Sequence, residues 1–304
     1  MAKNHIKVGK KVEDPVFIGG VAWGSDEVRG WKQGIARAVG RLLVGALGLR
    51  RAGLVRTEIV QAIRPVAKVG KTGLVVRCDH GRVKWRAERF EEEEPWTVKW
   101  VGEMKEGDCF WDIGANIGIY SLYGASGGAV VFAFEPEAQN YAELVENVAL
   151  NGLGQRCFPL AVAIIPQGWE DSRLFALPMD EFTRASAWHH VRPVTARAEM
   201  WGTGMLATQI LEGKTLDAML RAGIPAPTHL KVDIDGGEVG VLRGGMAVLR
   251  RRELRLVQLE VVPEETPGVE EELGKLLEPC GFRRTGEHRH GKGHEETWDW
   301  VYER

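Results

Sequence analysis

The chain alternates between apolar, strand-like runs and amphipathic helical runs from residue 108 to residue 303, and this alternation most constrains its fold. The predicted strands lie at 108–114, 129–136, 156–164, 229–234, 254–262, 282–288 and 297–303. The predicted helices lie at 117–125, 138–151, 215–223, 238–250 and 269–281. Such a pattern is typical of a parallel sheet covered by helices on both faces. No helix separates the last two strands, so they are expected to pair antiparallel. The sequence predicts an α/β fold with a doubly wound, seven-stranded, mostly parallel sheet whose last strand is antiparallel.

Two segments fall outside this pattern. Residues 165–213 show no clear period and are predicted to form an insertion in a domain that spans 73–304. Residues 1–72 carry 14 Lys/Arg against 5 Asp/Glu, whereas the remainder carries 26 Lys/Arg against 37 Asp/Glu. This asymmetry indicates a basic N-terminal extension attached to an acidic domain.

Part of the extension has helical periodicity. Between residues 30 and 54, apolar side chains recur at helical spacing, and Arg37 and Arg41 fall four residues apart. The extension is therefore predicted to be helical. Its amphipathic face has three candidate partners: the domain itself, a second subunit in a homodimer, or an anionic membrane surface.

Composition bounds the class of protein. An apolar content of 44% and a charged content of 27% are typical of a soluble globular protein. The N-terminus has no apolar signal-peptide core, and no uncharged apolar run approaches the roughly 20 residues of a membrane span. The four cysteines lie far apart without a CxxC pair, which favours reduced thiols over disulfides or a zinc site. We therefore expect a cytoplasmic protein, either free or peripheral at the inner membrane surface.

The stretch FWDIGANIGIY, at 110–120, joins the first predicted strand to the first predicted helix through small residues. Gly114 and Gly118 allow a tight turn and a close approach of the backbone to a ligand. In doubly wound sheets this turn lies where ligands bind. The spacing differs from the GxGxxG of dinucleotide loops, and it places the carboxylate of Asp112 at the strand end. An acid there disfavours a pyrophosphate and suits a ligand that carries an ammonium group.

A second carboxylate, Glu135, ends the next predicted strand. At this position of doubly wound folds, an acid accepts hydrogen bonds from ribose hydroxyls. A ligand with a ribose, a cationic end and no phosphate matches S-adenosylmethionine (SAM). The sequence therefore favours SAM over a dinucleotide as the cofactor.

These segments resemble the FkbM-type methyltransferases, a family of class I SAM-dependent enzymes with a Rossmann-like fold. The resemblance covers roughly residues 78–304 and rests on EPWTVKWV, FWDIGANIGIYSLY, FAFEPEAQNYAELVENVALNG, KTLDAML and LKVDIDGGEVGVLRGG. It implies O-methylation of a hydroxyl on a saccharide, glycolipid or secondary metabolite. It also implies that five residues line the SAM site: Asp112, Gly114, Asn116, Gly118 and Glu135. The chain has DIDGGE where the family usually has a sequence like DVEGAE, and this difference bears on the substrate.

An aliphatic hydroxyl is a weak nucleophile, so a base or a metal ion is expected near the methyl group. Asp233, at the end of the fourth predicted strand, is the first candidate base. His189 and His190, in the insertion, are further candidates, with a surface loop as the alternative. Asp233, Asp235 and Glu260 could instead hold Mg²⁺ through oxygen ligands. Asp233 and Asp235 face the same way only if the strand continues past residue 234.

Three further expectations remain. Four glutamates at 91–94 precede Pro95, and this pattern is typical of a solvated helix start. The basic arm leaves an RNA methyltransferase as an alternative function, although the acidic domain argues against a nucleic-acid partner. A non-catalytic SAM-binding protein is the other alternative.

Overall fold

The computed structural model describes residues 16–18, 21–23, 45, 65–78, 81–169, 174–179, 191–193, 207–234, 236–264, 266–290 and 297–304. The chain divides into two compact units, residues 1–64 and 65–304. The sequence analysis placed this boundary after residue 72. In the first unit, the described strands are β1 (Val16–Ile18) and β2 (Val21–Trp23), which pair antiparallel. The predicted helical segment at 30–54 lies outside the described residues, Gly45 excepted.

The second unit contains the remaining strands and all the helices named below. The strands are β3 (Val66–Lys68), β4 (Val75–Arg77), β5 (Cys109–Ile113), β6 (Val130–Phe134), β7 (Cys157–Leu160), β8 (Ala163–Ile164), β9 (Leu174–Met179), β10 (Arg192–Pro193), β11 (Ala207–Lys214), β12 (His229–Val232), β13 (Leu256–Val261), β14 (Arg283–His290) and β15 (Thr297–Glu303). The helices are α1 (Gly81–Glu93), α2 (Pro95–Gly102), α3 (Ile119–Ser126), α4 (Ala138–Leu150), α5 (Leu216–Arg221), α6 (Glu238–Arg243), α7 (Met246–Leu249) and α8 (Val269–Leu277), followed by a 3₁₀ turn at Glu278–Cys280.

The main sheet has seven strands in the order β14-β15-β13-β12-β5-β6-β7. All neighbours pair in parallel except at β15, which runs antiparallel to both β13 and β14. This arrangement confirms the predicted fold, including the antiparallel last strand. The sheet is buried on both faces: Phe110 packs in one core cluster and its neighbour Trp111 in the other. Apolar residues on both faces explain why the strands are continuous hydrophobic runs.

The predicted helix at 238–250 is wrong as a single element. It is divided into α6 and α7 at the pair Gly244–Gly245. A β-carbon on Gly245 would lie 2.6 Å from Leu216, and one on Gly244 would lie 3.2 Å from Thr215. The glycines therefore let the start of α5 pack against this break.

The insertion has more regular structure than its sequence indicated. Strands β9, β10 and β11 join β8 in a second sheet with the order β10-β9-β11-β8. Strands β9 and β11 pair antiparallel, with Met179 opposite Ala207 at one end and Leu174 opposite Glu212 at the other. Pro178 in β9 and the polar residues of β11 obscure the strand pattern in the sequence. Short strand β8 pairs in parallel with the end of β11, so the insertion begins directly beside the main sheet.

Of the helices in the described ranges, none combines the length and the apolar character that a membrane span requires. Cys109 and Cys157 are buried free thiols, and Cys280 is a partly buried one.

Candidate functional site

A cavity of about 380 Å³ opens at the carboxyl ends of β5, β6, β12 and β13. Helix α1, the start of α3 and residues 162–169 complete its wall, together with Val191 of the insertion. This is the edge of a doubly wound sheet at which ligands bind. The cavity has two facing parts: the β5–β6 side, with Asp112, Gly114, Asn116 and Glu135, and the β12–β13 side, with Glu94, Lys231, Asp233 and Glu260.

The turn after β5 brings these two sides together. Gly114 has a φ of 84°, and a β-carbon there would collide with the backbone carbonyl of Asp233. Only glycine therefore fits this close approach. Asn116 has a φ of 53°, and its backbone N–H points toward Glu135. Gly118 is not among the described residues that line the cavity. A β-carbon on Gly118 would meet Leu144 of α4, so this residue faces the helix.

Glu135 is held by backbone amides. Its Oε2 accepts a hydrogen bond of 2.8 Å from the N–H of Asn116, and its Oε1 accepts one of 2.8 Å from the N–H of Glu137. Each carboxylate oxygen has a second lone pair, so the group keeps the capacity to accept hydroxyl protons from a ligand. Burial raises the pKa of Glu135 to about 8, although the two backbone hydrogen bonds oppose this rise. The geometry fits the predicted role of binding a ribose.

Asp112 is nearly fully buried at the end of β5. Its Oδ2 accepts a hydrogen bond of 2.5 Å from Ser121 Oγ. Burial raises its pKa, while the charge of Lys231 and the Ser121 hydrogen bond oppose the rise. Asp112 thus places a buried carboxyl group, hydrogen-bonded to Ser121, in the cavity wall.

Lys231 is the residue on the β12–β13 side that the sequence analysis missed. It is 2% exposed, lies opposite Asp112 in the pairing of β12 with β5, and binds the carboxylate of Asp233. Its Nζ lies 3.7 Å from Glu94 Oε2 and 5.2 Å from the centre of the Tyr120 ring. Burial alone lowers the pKa of Lys231, but the surrounding carboxylates raise it well above its usual value. A lysine inside an apolar strand was the available signal, because a buried ammonium needs acidic partners.

Asp233 and Glu260 form a hydrogen-bonded pair. Burial raises the pKa of Asp233, but Lys231 and the hydrogen bond from Glu260 lower it overall, to about 2. Burial and the charge of Asp233 raise the pKa of Glu260 well above its usual value. A hydrogen bond between two carboxyl groups needs one proton, and the opposite directions of the two pKa shifts place that proton on Glu260, the donor. A carboxylate with so low a pKa is a poor base for an alcohol, which weakens the case for Asp233 as the proton acceptor.

The predicted Mg²⁺ ligands come together only in part. Strand β12 ends at Val232, so the condition for Asp233 and Asp235 to face the same way is not met. Asp235 lies outside the described residues, as do His189 and His190. Within the described ranges, no group of three or more His, Cys, Asp or Glu side chains is arranged to hold a metal ion. The ammonium of Lys231 instead supplies the positive charge beside Asp233.

Glu94 corrects the prediction of a solvated helix start. It is the N-cap residue of α2, with Pro95 in the first turn as predicted, but its side chain is only 15% exposed and lines the cavity. Thr97 Oγ1 donates a hydrogen bond of 2.7 Å to Glu94 Oε2, and the hydroxyl of Tyr120 donates to the same carboxylate. Burial raises the pKa of Glu94 to about 7, despite the opposing charge of Lys231.

Glu238 acts at the N-terminus of α6. Its Oε1 accepts a hydrogen bond of 2.8 Å from the N–H of Gly236, and burial raises its pKa to about 7. The N-cap residue of α6 is Gly237, which has no side chain that could cap the helix, so Glu238 instead holds the turn that precedes it.

The insertion contributes to the wall and to the loop that carries Glu135. Trp169 and Val191 line the cavity, and Trp169 stacks on Phe175 of β9. Gln209 of β11 accepts from the N–H of Ala138 at 2.9 Å and donates to the carbonyl of Pro136 at 2.7 Å. The second sheet is thereby fixed to the segment between β6 and α4.

Sequence comparison identifies the family. Residues 112–284, more than half of the chain, match the methyltransferase FkbM domain. The chain belongs to the FkbM methyltransferase family. This match confirms the resemblance noted from the sequence. The match begins at Asp112, within β5, and ends at residue 284, near the start of β14. It therefore includes β6, β7, β12 and β13 completely, and it leaves out β15.

A curated relative is the hexuronic acid methyltransferase AglP of Haloferax volcanii, which is 27% identical over 176 residues. The alignment covers 58% of this chain and 65% of the relative, less than two thirds of its length.

Two solved structures show a distant likeness. One is precorrin-6y C5,15-methyltransferase from Geobacter metallireducens, with 14% identity, 69% of this chain and 86% of that chain covered, and a TM-score of 0.39. The other is TYW2 of M. jannaschii in complex with AdoMet, with 15% identity, 77% and 84% covered, and a TM-score of 0.42. Similarity at this level says nothing about the substrate.

Proposed function

We propose that this FkbM domain is a SAM-dependent O-methyltransferase that acts on a hydroxyl of a saccharide, glycolipid or secondary metabolite. The observation that carries the proposal is the β5–β6 side of the cavity. There Asp112 and Glu135 lie at the ends of two adjacent parallel strands. Gly114, between them, has no side chain, so a ligand can approach the backbone closely.

The residues present fit SAM better than a dinucleotide. Glu135 offers oxygens to the two ribose hydroxyls, and the acids of the cavity wall favour a cation. Residues 162–165 and Phe134 supply an apolar surface suited to a base ring. When bound, SAM supplies a methyl group for in-line displacement, and the leaving thioether needs no acid. The protein therefore has two tasks, to orient the acceptor oxygen and to remove its proton.

The acceptor class is supported by the family and by AglP, whose name describes a hexuronic acid methyltransferase. Arg86 and Lys231 are the cations among the described residues that line the cavity, and Lys231 is paired with acids. Arg86 could therefore receive the carboxylate of a sugar acid.

The experiment that tests the function has two stages. Calorimetry should show that SAM and S-adenosylhomocysteine bind to the full chain. Methyl transfer from radiolabelled SAM is then measured with glucuronic and galacturonic acid, their nucleotide-linked forms, neutral hexoses and RNA. Transfer to a saccharide supports the proposal. Methyl transfer to RNA alone would favour the RNA methyltransferase. If the chain binds SAM but transfers no methyl group to any of these compounds or to extracts of the source cells, the non-catalytic SAM-binding protein is favoured.

We also propose a cytoplasmic location, with peripheral membrane contact through residues 30–54 as a secondary possibility. If that segment binds a membrane, the full chain should sediment with anionic liposomes, salt should release it, and a chain lacking residues 1–64 should stay in solution. If the segment packs against protein, liposome binding should be absent from both forms.

A further inference from the structure

We propose that Glu94 is the general base that accepts the proton of the acceptor hydroxyl. This inference rests on the proposed methyltransferase function and assigns a catalytic residue outside the candidates that the sequence offered. It begins from the contacts of Glu94 rather than from its sequence context.

A chain of buried donors fixes the Glu94 carboxylate. Trp100 Nε1 donates to Gln258 Oε1 at 2.5 Å, Gln258 Nε2 donates to Thr97 Oγ1 at 2.5 Å, and Thr97 Oγ1 donates to Glu94 Oε2 at 2.7 Å. Thr97 and Gln258 are completely buried. Each hydrogen bond in the chain is directed toward the carboxylate, so the chain both orients Glu94 and polarises the last donor. A helix cap alone would not require Gln258, which lies on β13, an internal strand of the main sheet.

The titratable groups around Glu94 come from three parts of the sheet and its helices. Lys231 faces it from β12 and Asp233 from the residue after that strand, Asp299 from β15, and the Tyr120 hydroxyl from α3. Lys231 favours the ionised form of Glu94, whereas burial and the two aspartates favour the protonated form. These opposing influences leave the pKa of Glu94 at about 7, where a group both accepts and releases a proton readily.

Four other acids of the cavity, at the ends of the sheet strands, are less suited to this role. Asp233 is held in its ionised form by Lys231 and Glu260, and Glu260 holds the proton of the hydrogen bond that joins these two acids. Asp112 is bound by Ser121, and Glu135 is bound by two backbone amides on the opposite side. Asp233 is better placed to orient Lys231, which in turn stabilises the ionised form of Glu94.

The step balances without a further reactant. The acceptor oxygen forms a bond to the methyl carbon, the carbon–sulfur bond breaks with its electron pair going to sulfur, and the hydroxyl proton passes to Glu94. Glu94 later releases that proton to solvent. The products are the methyl ether, S-adenosylhomocysteine and one proton.

The test uses two ligands that differ at the reacting centre, so it needs no knowledge of the acceptor. Sinefungin resembles S-adenosylhomocysteine but carries an amine on the carbon that replaces the sulfur. If Glu94 faces the methyl position, its carboxylate binds that ammonium group. Calorimetry should show that Glu94→Gln weakens sinefungin roughly ten- to a hundred-fold and leaves S-adenosylhomocysteine within about two-fold. Glu92→Gln, which removes the same charge from a solvent-exposed position of α1, should change neither affinity.

Several outcomes would overturn the assignment. An equal loss of affinity for both ligands would mean that Glu94 contacts a part that the two ligands share. Unchanged affinity for both would show that Glu94 does not face the methyl position. Should Glu94→Gln fail to fold, the wild-type protein still decides. The ratio of its affinity for sinefungin to its affinity for S-adenosylhomocysteine should rise from pH 6 to pH 8, as Glu94 becomes ionised. The double variant His189→Ala/His190→Ala should show the same rise, since these histidines are not its source. A constant ratio would contradict the proposal. If the wild-type chain binds neither ligand, the proposed function itself fails, and the role of Glu94 falls with it.

Discussion

The two sides of the cavity are built in different ways. On the β5–β6 side, Asp112, Gly114, Asn116 and Glu135 lie within one short stretch of chain, and backbone amides position the acid. On the β12–β13 side, Glu94, Lys231 and Glu260 come from distant parts of the sequence, and side chains position one another. The first side is a local motif that any sequence search can find. The second is a network that exists only after folding.

The difference predicts where each side is vulnerable. A backbone-held acid can be altered with little effect on the fold, and ligand affinity should report the change. A network of buried charges loses stability when one member is removed.

The β12–β13 side should lose the most stability when its cation is removed. Lys231→Met leaves Asp233 and Glu94 without a positive partner in a buried site, and we expect the free energy of unfolding to fall by about 3–5 kcal/mol at neutral pH. The deficit should shrink as the pH falls, because the two acids then become protonated. Urea denaturation measures it. The double variant Lys231→Met/Asp233→Asn should recover part of the loss, and a cost below about 1 kcal/mol for the single variant would show that the network is not structural.

Gly114 joins the two sides and tests their close approach. Gly114→Ala should lower the free energy of unfolding by roughly 2–5 kcal/mol, because a positive φ adds strain and the β-carbon collides with the Asp233 carbonyl. Gly107 is a matched control. It has a φ of 94°, but a β-carbon on it would meet no heavy atom within 4 Å, so Gly107→Ala should cost only about 1–2 kcal/mol. An equal loss of unfolding free energy in the two variants would show that the close approach of Gly114 to the Asp233 carbonyl does not affect stability.

The β5–β6 side should respond mainly in ligand affinity. At pH 9, above the folded-state pKa of about 8 where the carboxylate is charged, Glu135→Gln should weaken SAM binding by about 1.5–3 kcal/mol, roughly ten- to a hundred-fold, because it removes a charged acceptor for the ribose hydroxyls. Glu137 provides the comparison, since its carboxylate accepts from the N–H groups of Gln139 and Asn140 at the start of α4. Glu137→Gln should lower stability and leave SAM affinity nearly unchanged. Calorimetry and thermal unfolding of both variants separate the two effects, and a reversed pattern would contradict the assignment.

Glu135 should also make stability depend on pH. Burial raises its pKa from 4.5 to about 8 in the folded chain, so the folded state retains a proton that the unfolded state has lost. The resulting stability is fully present below about pH 4.5 and is lost as the pH rises through about 8. One such group changes the free energy of unfolding by up to about 1.4 kcal/mol for each pH unit. Glu135→Gln should flatten the decline between pH 6 and pH 8, and an unchanged slope would show that Glu135 is already ionised in the folded chain.

The contrast between the two sides also explains what the sequence could predict. The alternation of strands and helices was sufficient for the sheet and its antiparallel strand, because the buried strands are predominantly apolar and carry only isolated polar residues. Asp112, Gly114, Asn116 and Glu135 could be predicted to lie near one another because one strand–helix–strand unit fixes their spacing, and all four line the cavity. Gly118 follows the same spacing but faces α4, since sequence spacing does not reveal on which side of a turn a neighbour packs.

The β12–β13 side was only partly predictable. Asp233 and Glu260 were identified as strand-end acids, but their hydrogen bond and their pairing with Lys231 depend on strand order. Glu94 appeared as one of four surface glutamates, because nothing in that run distinguishes the residue that turns inward. Its partners Thr97 and Gln258 are brought together by the packing of α2 against the sheet.

A crystal structure of the chain with S-adenosylhomocysteine tests the central claim most directly, since it places both ends of the ligand at once. We expect the ribose hydroxyls within hydrogen-bonding distance of Glu135 and the sulfur directed toward Glu94, Lys231 and Asp233. A ligand bound in the opposite direction, or bound outside this cavity, would contradict the division of the site into a cofactor-holding side and a proton-accepting side.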